Sequence, residues 1–427
     1  MSSRRSLSRK KTLSARQARA GERRRKARIL ALVGSLAILA AFIVFLRSSR
    51  FALRRAEPVD AAERQQIALR LRQALERAVG EDVWVKSPPF AAFPPCKAET
   101  ATEAFVARAS YKAALSALER QAAREGLEIK PTRSSGRDPS GLRDFRLLRG
   151  RSLAGRWIVR EVPRLRHAAL ILDDLGQDLD AVRQLIALPY PITFAVLPHL
   201  AHSKAVAEQA HRAGREVMLH LPMEPDSPAR PGPGEIRVGM GRMELEQLIE
   251  EDLRSVPFVA GVNNHRGSRA TRDRRLMEEL MEVLARRGLF FIDSRTTPLT
   301  VALAAARRRG IPTFYRSVFL DETETVPYVL GQLREFIRVV EGQDAAIAIG
   351  HPYPSTLAAL TQFLPELERR GIRLLPASEL LRRPEIAHLT SPAAEPQSPE
   401  AAMVRGTARS KNRREKGGLA IRLKPAR

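Results

Sequence analysis

HAALILDDLG, residues His167 to Gly176, is an apolar run that stops at two adjacent carboxylates, Asp173 and Asp174, and a glycine. A short uninterrupted apolar run reads as a strand buried on both faces, and such strands belong to parallel sheets covered by helices. Carboxylates at the end of such a strand are costly to desolvate unless they bind a metal, pair with a cation or face a wet cleft. The pair therefore marks that strand end as a place where chemistry is expected.

The pattern repeats downstream. Further apolar runs are ITFAVLPH (Ile192 to His199), EVMLHLPM (Glu216 to Met223), FVAGVNNH (Phe258 to His265), GLFFIDS (Gly288 to Ser294), PTFYRSVFLD (Pro312 to Asp321), DAAIAIGHP (Asp344 to Pro352) and IRLLPASE (Ile372 to Glu379). Helix-period stretches lie between them, among them residues 244–253, 272–287, 326–340 and 355–370. Alternation of strand and helix predicts a parallel α/β architecture, and seven or eight strands favour a (β/α) barrel over an open sheet.

Nearly every run ends in a polar or ionisable residue: Asp173 and Asp174, His199, His220, Asn264 and His265, Asp293, Asp321, His351. In barrels and open α/β sheets the carboxyl ends of the strands form the active-site face, so these side chains are expected to converge. Any one of the histidines alone reads equally well as a cap. Asp, His and His around an open position suit zinc or a similar divalent ion, with water in the remaining place. Such an ion acidifies its water and polarises a carbonyl, which points to hydrolysis of an amide or ester. Nucleophile schemes fit poorly: there is no Gly-x-Ser-x-Gly elbow, the single cysteine, Cys96, lies outside this region, and no phosphate-cradling glycine loop follows the first strand.

Upstream, residues 58–163 read as a small α+β module in which no chemical constellation gathers. A helix is expected where Ile67, Leu69, Leu71, Leu75 and Val79 recur near helical spacing among charges, another over Tyr111 to Glu125, and strands at Ala104 to Ala109, Arg143 to Leu148 and Arg156 to Val162. Before the module, Ile29 to Leu46 (ILALVGSLAILAAFIVFL) carries no charge over eighteen residues. That is close to the roughly 20 residues a spanning helix needs, so a transmembrane helix is expected there. A cleaved signal peptide is the alternative, disfavoured by the length of the run and the arginines that follow it. Residues 1–28 hold twelve Lys or Arg against Glu22 alone, so eleven of the 26 net positive charges lie in this tail. The positive-inside rule then keeps the N-terminus cytoplasmic and places the rest outside, in a protein spanning the inner membrane once. Residues 384–427 are poor in apolar residues and read as a disordered basic tail. Charge concentrated in tails, on a chain expected outside the cytoplasm, argues against a nucleic-acid partner.

The ordered set ILDDLG, HLPMEP, GVNNHRGS, FIDSRTT and IGHPYP resembles the divergent polysaccharide deacetylase family, relatives of the NodB-type carbohydrate esterases, over roughly residues 167–383. The resemblance implies a distorted (β/α) barrel and metal-assisted removal of acetyl groups from N-acetylated sugars. It also implies that Asp173 is the general base, Asp174 a metal ligand and His351 the acid. One motif departs from the pattern: where relatives carry two histidines four apart, His220 is followed by Glu224. His220 is retained as a ligand, and the third falls to His265 or Glu224. Asp293 would orient the acid, bind a sugar hydroxyl or cap the following helix. Arg266 and Arg295 would neutralise an anionic glycan, or stand in these loops simply because the chain is rich in arginine.

The expectation is a membrane-anchored extracytoplasmic deacetylase acting on envelope polysaccharide or peptidoglycan. Its metal would be held by Asp174, His220 and His265, its base would be Asp173 and its acid His351, with Asp293 in support. The altered second motif motivates the alternative, a catalytically inactive relative that binds envelope glycan or a protein partner, since a lost ligand can leave a fold intact.

Overall fold

In the computed structural model, which describes residues 59–86, 101–132, 141–228, 230–383 and 386, the strand-forming sequence is divided between two sheets. The first contains β1 (Val83–Lys86), β2 (Ala101–Ala107), β3 (Glu128–Pro131), β4 (Leu142–Arg149) and β5 (Ser152–Val162), in the order β1-β2-β5-β4-β3. Two helices pack with it. Ala61–Val79 buries Ile67, Leu71 and Leu75, whose spacing of four puts them on one helical face, and Asp60 caps its start by accepting the Glu63 N–H at 2.7 Å. Tyr111–Arg124 buries Ala114, Ala117 and Leu118. Both share a core with Trp157, which is about 1 % exposed.

The second sheet is parallel throughout. Its strands are β6 (Arg166–Leu175), β7 (Thr193–Val196), β8 (Val217–Met223), β9 (Val259–Arg266), β10 (Phe290–Asp293), β11 (Thr313–Tyr315), β12 (Val318–Phe319), β13 (Ala345–Gly350) and β14 (Ile372–Leu374). They run in the order β11-β10-β9-β8-β7-β6-β13-β12, with β14 paired to β6. The two outer strands, β11 and β12, are separated in sequence only by Arg316 and Ser317. The Arg316 N–H donates to the Asp293 carbonyl of β10 at 2.9 Å, and the Ser317 N–H to the Ile347 carbonyl of β13 at 2.8 Å. One short piece of chain thus passes from one edge of the sheet to the other. The sheet is a curled half-barrel, and among the described residues no ladder joins β11 to β12. Nine short strands drawn round by their own connections replace the closed barrel of seven or eight expected from the sequence.

Alternate residues of each strand enter different cores, as a period of two requires. Ala168, Leu170 and Leu172 of β6, Leu219 and Leu221 of β8, Val262 of β9 and Phe291 of β10 pack with the surrounding helices. Ala169 and Ile171, Met218, Ile292, Phe314, Ile347 and Ile349 form a separate cluster. Among the described residues the helix elements contribute to that cluster only through Ala377–Leu381 and the following Ile386, which marks it as the inside of the curl. Continued to the strand ends, this phase decides which polar residues look inward.

The two sheets are joined by three residues between β5 and β6. Gly371, at φ +78°, lies against this junction, where an added Cβ would stand 2.4 Å from the Arg164 carbonyl oxygen. Lys86 of β1 pairs with Glu368 at 2.7 Å across the same seam. Among the described residues no helix is long and apolar enough to cross a membrane. The span expected over residues 29–46 and the two basic tails lie outside the described residues, apart from Ile386.

Candidate active site: an Asp–His–His cluster beside a second carboxylate

Successive residues of a strand point to opposite faces, so Asp173 and Asp174 would normally part company. They do not, because Asp174 adopts φ +57° and the β6–β7 register shifts between Leu172 and Leu175. The irregularity re-aims the second carboxylate into the same cavity as the first, a common use of bulges beside active sites. An aspartate tolerates the left-handed conformation better than most residues do.

Three ligand atoms meet there. Asp174 Oδ1 lies 3.1 Å from His220 Nε2 and 2.9 Å from His265 Nδ1. The two ring nitrogens are 3.2 Å apart. For all this proximity Asp174 Oδ1 is buried and in hydrogen-bonding geometry with no partner. Three atoms that can each offer a lone pair, crowded together with the carboxylate oxygen left unpartnered, fit a divalent cation. His220 closes the buried side at 3 % side-chain exposure, while Asp174 at 33 % and His265 at 24 % leave the other side open to solvent. An open side is what a site needs if it is to admit substrate.

The remaining inward groups surround the cluster. Asp173 is buried, with Oδ2 3.6 Å from His220 Nε2, and its Oδ1 accepts the Asn263 amide N–H at 2.8 Å. His351, from the end of β13, places Nε2 3.8 Å from Asp174 Oδ2 and Nδ1 2.9 Å from Asp321 Oδ1. Its ring stands between Phe319 and Tyr353, with centroids 5.5 and 5.4 Å away. Arg316 donates to the carbonyls of Ser294 at 2.6 Å and Arg295 at 3.0 Å.

Electrostatics differentiates these groups. Burial lifts the Asp173 carboxyl above its ordinary range, against the opposing pull of His220, His351 and the Asn263 hydrogen bond. Burial also acts on Asp174, but the two imidazoles beside it win and hold it well below the usual carboxylate range. In His220 burial opposes the charged form, and the two aspartates overcome it, pushing the ring up to about 9. His351 is raised as well: burial works against protonation, and the hydrogen bond and charge of Asp321 outweigh it.

Some residues named from the sequence lie elsewhere. Asp293 does not face the cluster. It shares the phase of Phe291, which packs outward, so its oxygens accept the Arg295 N–H at 2.8 Å, the Thr300 hydroxyl at 2.9 Å and the Leu303 N–H at 3.4 Å. That makes it the anchor of its own loop, and the partner of His351 is Asp321 instead. Glu224, the alternative third ligand, is spent on Arg269 at 2.8 Å and the Val238 N–H at 2.8 Å. His199 turns to the buried Asp252, 2.7 Å from its Nε2. Asn264 braces the rim by accepting the Ser294 N–H at 2.9 Å and donating to the Arg266 carbonyl at 2.8 Å. Arg266 and Arg295 both hold positive φ in this rim, and the Arg295 guanidinium lies 3.9 Å above the Tyr315 ring. Asn263 lies within GVNNHRGS but is not singled out there, and Arg316 belongs to none of the five motifs. Their inward phase, shared with His265 and Phe314, was the signal that could have found them.

A curled parallel α/β sheet with an Asp–His–His cluster at its strand ends and a second carboxylate alongside defines a protein of the deacetylase-fold class. The chain belongs to the divergent polysaccharide deacetylase family, which it matches over residues 170–381. It is 36 % identical over 224 residues to the uncharacterized protein YibQ of Escherichia coli strain K12, covering 52 % of this chain and 70 % of that protein. It is 34 % identical over 208 residues to an uncharacterized protein of Haemophilus influenzae, covering 49 % and 71 %. A solved structure of an uncharacterized Agrobacterium tumefaciens C58 protein superposes with a TM-score of 0.49 at 23 % identity, covering 51 % of this chain and 89 % of that one.

Proposed function

We propose that this protein is a metal-dependent deacetylase of N-acetylated envelope polysaccharide, peptidoglycan included. The supporting observation is the placement of a buried carboxylate and a carboxylate-backed histidine on either hand of one three-atom cluster: Asp173 3.6 Å from His220, His351 3.8 Å from Asp174. A divalent cation held by Asp174, His220 and His265, zinc being well suited to this N and O donor set, would polarise the amide carbonyl and acidify water next to it.

The chain supplies the proton traffic. Asp173, a stronger base than an exposed carboxylate because it is buried, takes a proton from the attacking water. The water oxygen bonds to the acetyl carbon, the carbon–nitrogen bond breaks, and His351 gives its proton to the leaving sugar amine. Acetate and a free amine result. Asp321 keeps His351 protonated and aimed, while Asp173 stays an acceptor, so the base and the acid occupy opposite protonation states through two different environments.

The uncharged run over residues 29–46, with the basic tail ahead of it, supports anchorage as a single span with the domain on the outer side of the cytoplasmic membrane. The test is acetate release from N-acetylglucosamine oligomers and from peptidoglycan, with metal analysis, for wild type against Asp174→Ala. Wild type is expected to carry one divalent ion and release acetate, and the variant to do neither. A metal-free wild type that releases no acetate refutes the reading.

A further inference from the structure

We propose that Asn263 is a positioning residue that ties the two halves of the site together, holding Asp173 as a proton acceptor and the His220 ring in the tautomer that presents a lone pair to a cation. The inference rests on the reading of Asp173 as base and of Asp174, His220 and His265 as ligands.

Asn263 is on β9, directly opposite His220 of β8 in the parallel register, and is fully buried. Its Nδ2 donates to Asp173 Oδ1 at 2.8 Å and lies 3.3 Å from Ser294 Oγ. Its Oδ1 lies 2.9 Å from His220 Nδ1. The orientation of an amide is assigned from its partners, and here one partner settles it. An ionised carboxylate only accepts, so the NH2 end must face Asp173. The carbonyl end then faces His220, and because a carbonyl oxygen also only accepts, His220 Nδ1 must carry a hydrogen. In the neutral ring that leaves Nε2 as the nitrogen with the lone pair, and Nε2 is the atom 3.1 Å from Asp174 Oδ1 and 3.2 Å from His265 Nδ1. Asp173, His220 and Asn263 are 3 %, 2 % and 0 % exposed, so solvent is not at hand to take over either bond.

An amide suits this place because it is at once donor and acceptor and brings no charge. An aspartate in its stead keeps the acceptor for His220 and removes the donor to Asp173. An alanine removes both. The two substitutions therefore separate the functions, which a residue needed only for packing would not do.

The experiment compares wild type, Asn263→Asp and Asn263→Ala as full chains. Zn2+ affinity is measured on metal-stripped protein by competition with a chromophoric chelator, imidazole protons by 15N-edited NMR on the zinc-loaded protein, and acetate release on an N-acetylglucosamine oligomer. Asn263→Ala is expected to weaken Zn2+ binding by about 10- to 100-fold, the usual effect of losing a partner behind a metal-ligating histidine. Asn263→Asp is expected to bind Zn2+ within about threefold of wild type, because the histidine keeps its acceptor, yet to release acetate at least about 100-fold more slowly. In zinc-loaded wild type His220 is expected to show a proton on Nδ1 and none on Nε2, a readout that needs no variant to fold. A proton on Nε2, an Asn263→Asp variant that loses Zn2+ as badly as Asn263→Ala, or an Asn263→Asp variant of full activity would each overturn the proposal. If wild type binds Zn2+ but releases no acetate, the deacetylase reading alone falls, and the affinity and proton readouts still decide on Asn263.

Discussion

Asp321 grips His351 twice, with Oδ1 2.9 Å from the ring Nδ1 and Oδ2 accepting the backbone N–H of the same residue at 2.6 Å. Thr356 adds a hydroxyl to Oδ2 at 2.7 Å, which fixes the carboxylate in turn. The general acid must be protonated to act, so activity is lost as pH rises through its pKa. Asp321 raises that pKa, and Asp321→Asn should therefore bring the alkaline fall of kcat/KM to lower pH and cut kcat at neutral pH by about 10- to 1,000-fold. An alkaline limb that stays in place in the variant's pH profile would refute the assignment.

The third ligand can be tested directly. His265→Ala removes an atom 2.9 Å from Asp174 Oδ1, whereas Glu224→Ala removes a carboxylate engaged with Arg269. Metal content by emission spectrometry should fall to a small fraction of one per chain for the first and stay at the wild-type level for the second. Loss of metal in Glu224→Ala alone would return the ligand to that residue.

A proton and a cation compete for His220. With the ring pushed up to about 9, it is expected to hold a proton at neutral pH that a cation would have to displace. The sign follows: affinity weakens as pH falls, by about tenfold per unit below that pKa. Calorimetric titration at pH 7 in buffers of different ionisation enthalpy should detect about one proton released per ion bound. No dependence on the buffer would contradict the arrangement.

Asp293 is predicted to hold the loop rather than take part in the reaction. Replacing it with alanine strands the N–H groups of Arg295 and Leu303 and the Thr300 hydroxyl. The cost should be about 1 to 3 kcal/mol in urea or thermal unfolding, with metal content unchanged and kcat within about tenfold of wild type. A stable variant without activity would restore Asp293 to the catalytic set.

Gly261 of β9 is a structural requirement of the sheet. An added Cβ there would lie 2.4 Å from the ring of Phe290 on the paired strand, and that ring is buried. Gly261→Ala should destabilise by about 1 to 3 kcal/mol through overpacking, seen as a lowered Tm. An unaltered melting curve would place the Phe290 ring elsewhere.

Much of this site was legible in the strand ends, because buried parallel strands deliver their terminal side chains to one face. Asp173, Asp174, His220, His265 and His351 could be gathered without coordinates. Asp293 and His199 were gathered with them because counting strand ends ignores phase, and phase was readable too: Asp293 stands two residues from the outward Phe291, while His220 stands two from the inward Met218. The same count would have raised Asn263 and Arg316. Asp174 breaks that count, since only its φ of +57° and the shifted register beside it turn an outward position inward.

By itself the sequence determined the strand and helix alternation, the parallel class and most of the groups at the strand ends, since those depend on hydrophobic period and local order. Tertiary structure alone decided that the sheet is a curled half-barrel, that His265 and not Glu224 stands beside Asp174, and that Asn263 bridges Asp173 and His220. These are matters of a few ångströms between residues tens of positions apart, set by how neighbouring strands register and bulge, and no local pattern in the chain encodes them.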